Sequence, residues 1–387
     1  VSSYGRSSAI LPIKSCLPQR LTGPASRECK GQEASAVASV AYCTREDVKQ
    51  RLDFAEIALS NSRIDAATLS ASRDVDSLIK YPDNGIAPTI ATYDFNWPDV
   101  ASPTPWRLWL DDRTLISVTS IISGGITIPP ANYLLEPQRY GAPFDRVEID
   151  ISTVSTFNFA STWQRSIVIN GLWGWTDDSG PAGSLAASIA SAGAVACNVT
   201  DSNAIGVGQV ITVDSERMIV TGKTMLTTAQ TLQTPVGATM AEQTMAVTNG
   251  ALYAVGEILL LDAERMLITD IAGNNLIVKR AYDGSTLAAH SGSTIFAARI
   301  LTIVRGQLGT TAATHSNGAA ITKWLTPDKA RELAIAESIN RLLQETSGYA
   351  RTVGAADAIR NASGAGLEDA RARCYASMAR QGRVLAV

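Results

Sequence analysis

Histidine is almost missing from this chain: 387 residues contain two, His290 and His315. Both fall in the same slot of a repeated stretch, within Gly/Ser/Thr/Ala-rich sequence. That context reads as a structural turn histidine rather than a metal ligand, because no acidic or thiol partner stands at regular spacing beside either one. Cysteine is scarce as well. Cys16, Cys29, Cys43, Cys197 and Cys374 are odd in number and never spaced as CxxC. This excludes a disulfide framework and a paired-cysteine zinc site, and leaves free thiols of a reducing cytoplasm. No apolar run approaches the roughly 20 residues that a membrane-spanning helix needs. Charged residues make up 18% and the net charge is −3. A chain so balanced has no whole-molecule grip on nucleic acid, although a local contact or a conduit for DNA stays open. No GxSxG is present, and the glycine-rich stretch 354–366 has neither a P-loop lysine nor a preceding Rossmann strand. These absences set an enzyme reading aside and predict no cofactor and no metal.

What is present is organised in blocks. The length suits two or three modest domains. Residues 1–40 are rich in Ser, Pro, Gly and Arg without a sustained period. They read as a flexible arm or as upstream coding sequence, with an arm that wraps a neighbour as the alternative. Thr44-Arg45-Glu46-Asp47 has capping-box spacing and opens a short amphipathic helix through Val48, Leu52, Ala55, Ile57 and Leu59. A second helix starts near Ser62 and carries Ile64, Leu69, Val75, Leu78 and Ile79. Tyr81-Pro82-Asp83-Asn84-Gly85 stops it. From Pro88 to Trp175 the hydrophobic period becomes two, which predicts strands, with Gly171 a candidate bulge. The tryptophans in these strands read first as core and interface packing. Residues 180–193 are small and read as a linker. Thr326-Pro327-Asp328 predicts a helix start, with Pro327 at the first helical position. Its apolar face is Ala330, Leu333, Ala334, Ile335, Ile339, Leu342 and Leu343. A last helix is expected over Leu367–Met378.

Between Val195 and Trp324 the sequence repeats itself. VGQVITVDSERMIVTG, Val207–Gly222, returns 48 residues later as VGEILLLDAERMLITD, Val255–Asp270. A second echo, Arg280–Ser291 and Arg305–Ser316, is spaced by 25. One tandem duplication gives one spacing, whereas two spacings call for nesting. The expected arrangement is a unit that opens near Val195, is interrupted after Gly222 and closes over Ile300–Trp324, with a whole unit, Thr244–Ala297, inside it. The repeated Asp214, Glu216, Arg217 and Asp262, Glu264, Arg265 read as polar hairpin turns, each arginine pairing a neighbouring carboxylate at the surface; a calcium or acid/base role is the sharper alternative.

Taken together these blocks predict an α+β protein, a small helical bundle with a β-hairpin or sheet plus an inserted all-β domain of two nested hairpin modules. The expected boundaries are 1–40 for the arm, 41–190 and 325–387 for the framework, and 191–324 for the insertion. Within the framework, Tyr42-Cys43-Thr44-Arg45-Glu46-Asp47-Val48-Lys49-Gln50-Arg51-Leu52, Trp106–Asp112, Ile128–Pro137, Ile167–Trp175 and Gly348–Gly354 occur in an order and spacing that resembles the head-to-tail connector proteins of tailed bacteriophages, also called adaptor or head-completion proteins. Residues 1–40 and the repeated units depart from that compact family. The resemblance implies a virion structural protein in the head–tail neck, made in the host bacterial cytoplasm. Its copies would form a ring, usually of twelve, under the portal protein. The ring extends the channel for genomic DNA, which passes without sequence-specific binding, and offers tail or stopper proteins a docking surface. On this reading no membrane is involved. Arg371, Arg373, Arg380 and Arg383 would meet acidic portal groups, and Val384, Leu385 and Val387 would lie in a tail that adds a strand to a portal edge. A solvated, salt-bridged helix face is the alternative for the arginines. The rival reading is a tail or capsid-surface protein that binds carbohydrate through its β modules.

Overall fold

The computed structural model describes residues 39–52, 60–82, 84–98, 104–111, 113–138, 141–346 and 357–379. Helix α1, Arg45–Leu52, opens on a reciprocal cap. The Thr44 amide donates to Asp47 Oδ2 at 2.9 Å and the Asp47 amide donates to Thr44 Oγ1 at 3.1 Å, which satisfies two amides that a helix start leaves free. The expected continuation to Leu59 lies outside the described residues. Helix α2, Asn61–Ile79, buries Ile64, Ala67, Ala71, Val75 and Ile79 and ends on a left-handed Lys80.

Seven strands follow: β1 Thr89–Phe95, β2 Arg107–Trp109, β3 Leu115–Ser123, β4 Ile126–Ile128, β5 Tyr133–Glu136, β6 Arg146–Ile149 and β7 Ile167–Trp173. They form a four-stranded sheet, β1-β7-β3-β4, and a three-stranded sheet, β2-β6-β5. Phe95, Leu108, Leu115, Ile121, Val147, Ile169 and Trp173 fill the core between them. Gly171 keeps regular pairing; the register shifts fall opposite it, in β3. A side chain at Gly171 would meet the Ser117 carbonyl at 2.3 Å, so glycine is there to let the bulged strand approach.

The third sheet has ten strands. They are β8 Ser179–Ser184, β9 Ala196–Asn198, β10 Val210–Val213, β11 Glu216–Thr231, β12 Thr244–Ala246, β13 Ile258–Leu261, β14 Glu264–Ala272, β15 Asn275–Lys279, β16 Thr294–Val304 and β17 Ala320–Trp324. The order is β12-β15-β14-β13-β16-β11-β10-β17-β8, with β9 also on β16. The expected linker at 180–193 is therefore partly an edge strand: β8 pairs with β17, and Ala182, Leu185 and Ile189 are buried. Small residues there pack against the sheet, which composition alone does not distinguish from a linker. Strands β11 and β16 run together from Ile219↔Val304 to Thr231↔Thr294. An apolar core lies at each end of this ribbon. One gathers Ile211, Val213, Met218, Leu301 and Ile321; the other gathers Leu259, Leu261, Met266, Val278 and Ile295.

Helices α3, Asp328–Thr346, and α4, Asp357–Met378, close the described chain. The first helical hydrogen bond of α3 runs from the Arg331 amide to the Pro327 carbonyl, so the helix begins one residue later than expected. Helix α4 begins ten residues before the expected Leu367. Helices α1 to α4 pack together, and their core joins Tyr42, Val48, Ile64, Ile79, Leu333 and Cys374 to Val210 and Ile219 of the ten-stranded sheet. Each such buried large apolar side chain contributes about 1.5–3 kcal/mol. Val40, the last residue of the expected arm, is already in this core. Residues 1–38 lie outside the description. The fold is mixed α+β and mostly β. Among the described residues no helix is long and apolar enough to cross a membrane.

Candidate functional site

The two repeated Asp-x-Glu-Arg stretches lie on hairpins β10–β11 and β13–β14. In each, a two-residue loop begins on aspartate with left-handed φ, 53° at Asp214 and 52° at Asp262, a conformation that Asp tolerates better than most residues. The following glutamate does not stay at the surface. Glu216 and Glu264 are fully buried, which corrects the expected surface turn. Nor does the adjacent arginine pair with them: Arg217 reaches Asp177 at 3.0 Å and Arg265 reaches Asp283 at 2.6 Å.

Each buried glutamate is instead met by five donors. Arg280 Nε and Nη2 reach Glu264 at 2.8 and 2.9 Å, the Ala281 and Ala288 amides at 2.9 and 3.0 Å, and His290 Nε2 at 2.9 Å. Arg305 Nε and Nη2 both reach Glu216 at 2.6 Å, the Gly306 and Ala313 amides both at 2.9 Å, and His315 Nε2 at 2.9 Å. Burial pushes each carboxyl up, but the arginine fork, the two amides and the histidine outweigh it and hold both at about 2. The other ring nitrogen, Nδ1, lies 2.7 Å from Asp262 in His290 and 2.7 Å from Asp214 in His315. The expectation that these histidines lack acidic partners is therefore overturned. Their carboxylates stand 26 to 28 and 99 to 101 residues away in sequence, beyond any local motif.

The two clusters sit in equivalent strand frames. Ile219↔Val304 on β11–β16 matches Leu267↔Lys279 on β14–β15, 48 residues on in one partner and 25 back in the other. Ala196↔Thr302 matches Thr244↔Ile277 by the same offsets. After the histidine the copies fall out of step by one residue, HSGSTI against the longer HSNGAAI. Each histidine also pairs its backbone with an earlier segment, His290 with Val236 and His315 with Ile189. With both ring nitrogens taken by carboxylates, the arrangement ties a long loop to a hairpin tip and offers neither nitrogen to a metal. Arg280 and Arg305 were missed by the motif reading. The available signal was that each opens the second echo, ten residues before its histidine.

A different surface lies on the framework sheets. The connection 150–166 is strapped down: Ser123 Oγ donates to the Asn158 carbonyl at 2.9 Å, Trp97 Nε1 to the Phe157 carbonyl at 2.7 Å, and Asn132 Nδ2 to Ser155 Oγ at 2.8 Å. Yet Ile151, Val154, Phe159 and Trp163 face solvent, Val154 at 97% and Ile151 at 77% exposure. Ile126, at the β3–β4 turn, adds to them. Trp173 packs in the core, whereas Trp163 is outside it and about half exposed.

Of the residues expected to contact a partner, Arg371 lies on α4 and ties it to α3 through Glu337 at 2.6 Å, while also pairing Glu368 of its own helix at 2.9 Å. Arg373 is exposed. Arg380, Arg383, Val384, Leu385 and Val387 lie outside the described residues. No family model, no curated protein and no solved structure matches this chain.

Proposed function

We propose that this chain is a non-catalytic virion structural protein of the head-to-tail connector type, whose copies form a ring that docks under a portal, lines the DNA channel and receives the tail. The observation that carries this reading is the exposure of Ile151, Val154, Phe159 and Trp163 along a connection pinned by side-chain hydrogen bonds. Large apolar side chains fixed outward on a hydrogen-bonded loop mark a surface that is covered in an assembly. Ring contacts are heterologous, so one subunit's face meets a different face of the next. The contacts of α1 and α2 with α3 and α4 support the small helical bundle that the resemblance implies. The finer architecture we propose is that bundle with its own sheets, carrying an all-β insertion in which one module is nested in another. The matching offsets of 48 and 25 in the strand registers support the nesting. A net charge of −3 suits a channel that lets DNA slide.

The test is antibody labelling of purified virions viewed by negative-stain electron microscopy, joined to light scattering of the purified chain. Label at the head–tail vertex and ring-sized particles support the proposal. Label at the capsid surface or tail tip, with retention on glycans, replaces it with the carbohydrate-binding reading.

A further inference from the structure

The two copies of the repeat carry the same apolar face, but the helices cover only one of them. In the first copy Val210 and Ile219 pair across β10–β11, and with Trp324 of β17 they are buried in the helical core. Val207 is 5% exposed, and its carbonyl accepts from the Arg45 amide. The offset of 48 makes Val255, Ile258 and Leu267 their counterparts. Ile258 and Leu267 pair across β13–β14. Their strand neighbours Leu259 and Met266 fill the local core, so alternation turns Ile258 and Leu267 to the opposite face. There they are only partly buried, and Val255 is 49% exposed. The neighbouring strand differs too. Ile211↔Lys323 on β10–β17 matches Leu259↔Ala297 on β13–β16, so Ala298 stands where the first copy has Trp324. An alanine in place of an indole leaves room, and a cavity of about 550 Å³ opens over this face, with Ile258, Leu267 and Ala298 on one wall and Lys323 on another.

Charge in the cavity is unevenly matched. Lys223 and Arg331 line it, but Glu46 and Asp47 pair with them. Asp328 also lines it, at the first turn of α3, where the helix dipole favours an acid. Lys323 makes no salt bridge among the described residues; its ammonium donates to the Ala204 carbonyl at 2.7 Å. An ammonium has three donors, and burial pushes this one below its ordinary value. An apolar wall, one cation without a carboxylate and a volume inside the roughly 300–1,000 Å³ of small-molecule sites describe a ligand with two ends. We infer that this cavity binds a small amphiphilic anion, a carboxylate on an apolar body, with its head on Lys323 and its body against Ile258, Leu267 and Ala298. Such a molecule covers in the second copy the face that the helices cover in the first. The site is independent of the connector reading.

The experiment is isothermal titration calorimetry of the full chain with octanoate and with 1-octanol, on the wild type, Lys323→Met and Ala298→Trp. The wild type should bind octanoate about tenfold more tightly than octanol, the worth of a hydrogen bond to a charged group. Lys323→Met should erase that preference and leave octanol binding in place, which a merely structural lysine would not do. Ala298→Trp, which gives the second copy the indole of the first, should abolish binding of both. Should Ala298→Trp fail to fold, Leu267→Glu replaces it, setting a like charge against the carboxylate, and should abolish octanoate binding. No octanoate binding to the wild type overturns the inference. Binding that survives unchanged in the variants overturns it equally, since it assigns octanoate to another surface, such as the exposed one at Val154.

Discussion

Replacing Glu264 with glutamine removes one charge from a site built around it and preserves the side chain's shape. The carboxyl sits at about 2 against an ordinary 4.5, and each tenfold change in proton affinity is worth about 1.4 kcal/mol. Glu264→Gln should therefore cost roughly 3 kcal/mol, because five donors lose a charged acceptor and the glutamine amide points a donor at them. Arg280, with a fully buried side chain, is left without its counter-charge, a loss typically of about 3–5 kcal/mol when a buried pair is broken outright. The matched control is Arg265→Ala, which removes a pair on a side chain 42% exposed and should cost under about 1 kcal/mol. Urea unfolding at pH 7 measures both. The pH dependence has a definite sign. The folded carboxyl is depressed, so the wild-type advantage is complete above about 4.5 and disappears as pH falls toward 2. A Glu264→Gln loss no larger than that of Arg265→Ala, or one that persists unchanged at pH 2, would refute the reasoning.

Two further perturbations probe the framework. A methyl group at Gly206 would lie 2.3 Å from Thr44 Cβ, so Gly206→Ala should displace the capped start of α1 and cost about 1–3 kcal/mol; hydrogen exchange at 41–48 should rise, and an unchanged pattern would refute the contact. Burial pushes the Cys43 thiol up to about 12 and the Cys197 and Cys374 thiols to about 11. All three should resist alkylation at pH 8 until urea is added, as read by peptide mass spectrometry; labelling of native Cys43 would contradict its place in the core.

Local rules explain what could be read directly. Thr44 and Asp47 are three residues apart, and a capping box needs nothing more. Strands β6 and β7 alternate along their own length, and burial follows that alternation. Position 180–193 fails the same approach, because an edge strand of small residues has no period to detect. The exposed stretch 150–166 fails for a related reason: sequence gives the apolar character of Val154 and Trp163, but only hydrogen bonds to Ser123, Trp97 and Asn132 fix that loop so they point outward.

The repeat divides the two levels most clearly. Sequence by itself determined that one motif was written twice, with two different spacings, 48 and 25. It also placed Arg280 and Arg305 ten residues before their histidines. Tertiary structure alone decided what the motif is for. His315 meets Glu216 only because β16 and β17 return beside β10 and β11, across 99 residues of chain. A charge acquires a partner by distance in space, and burial then makes that partner obligatory; neither quantity is carried by the order of residues.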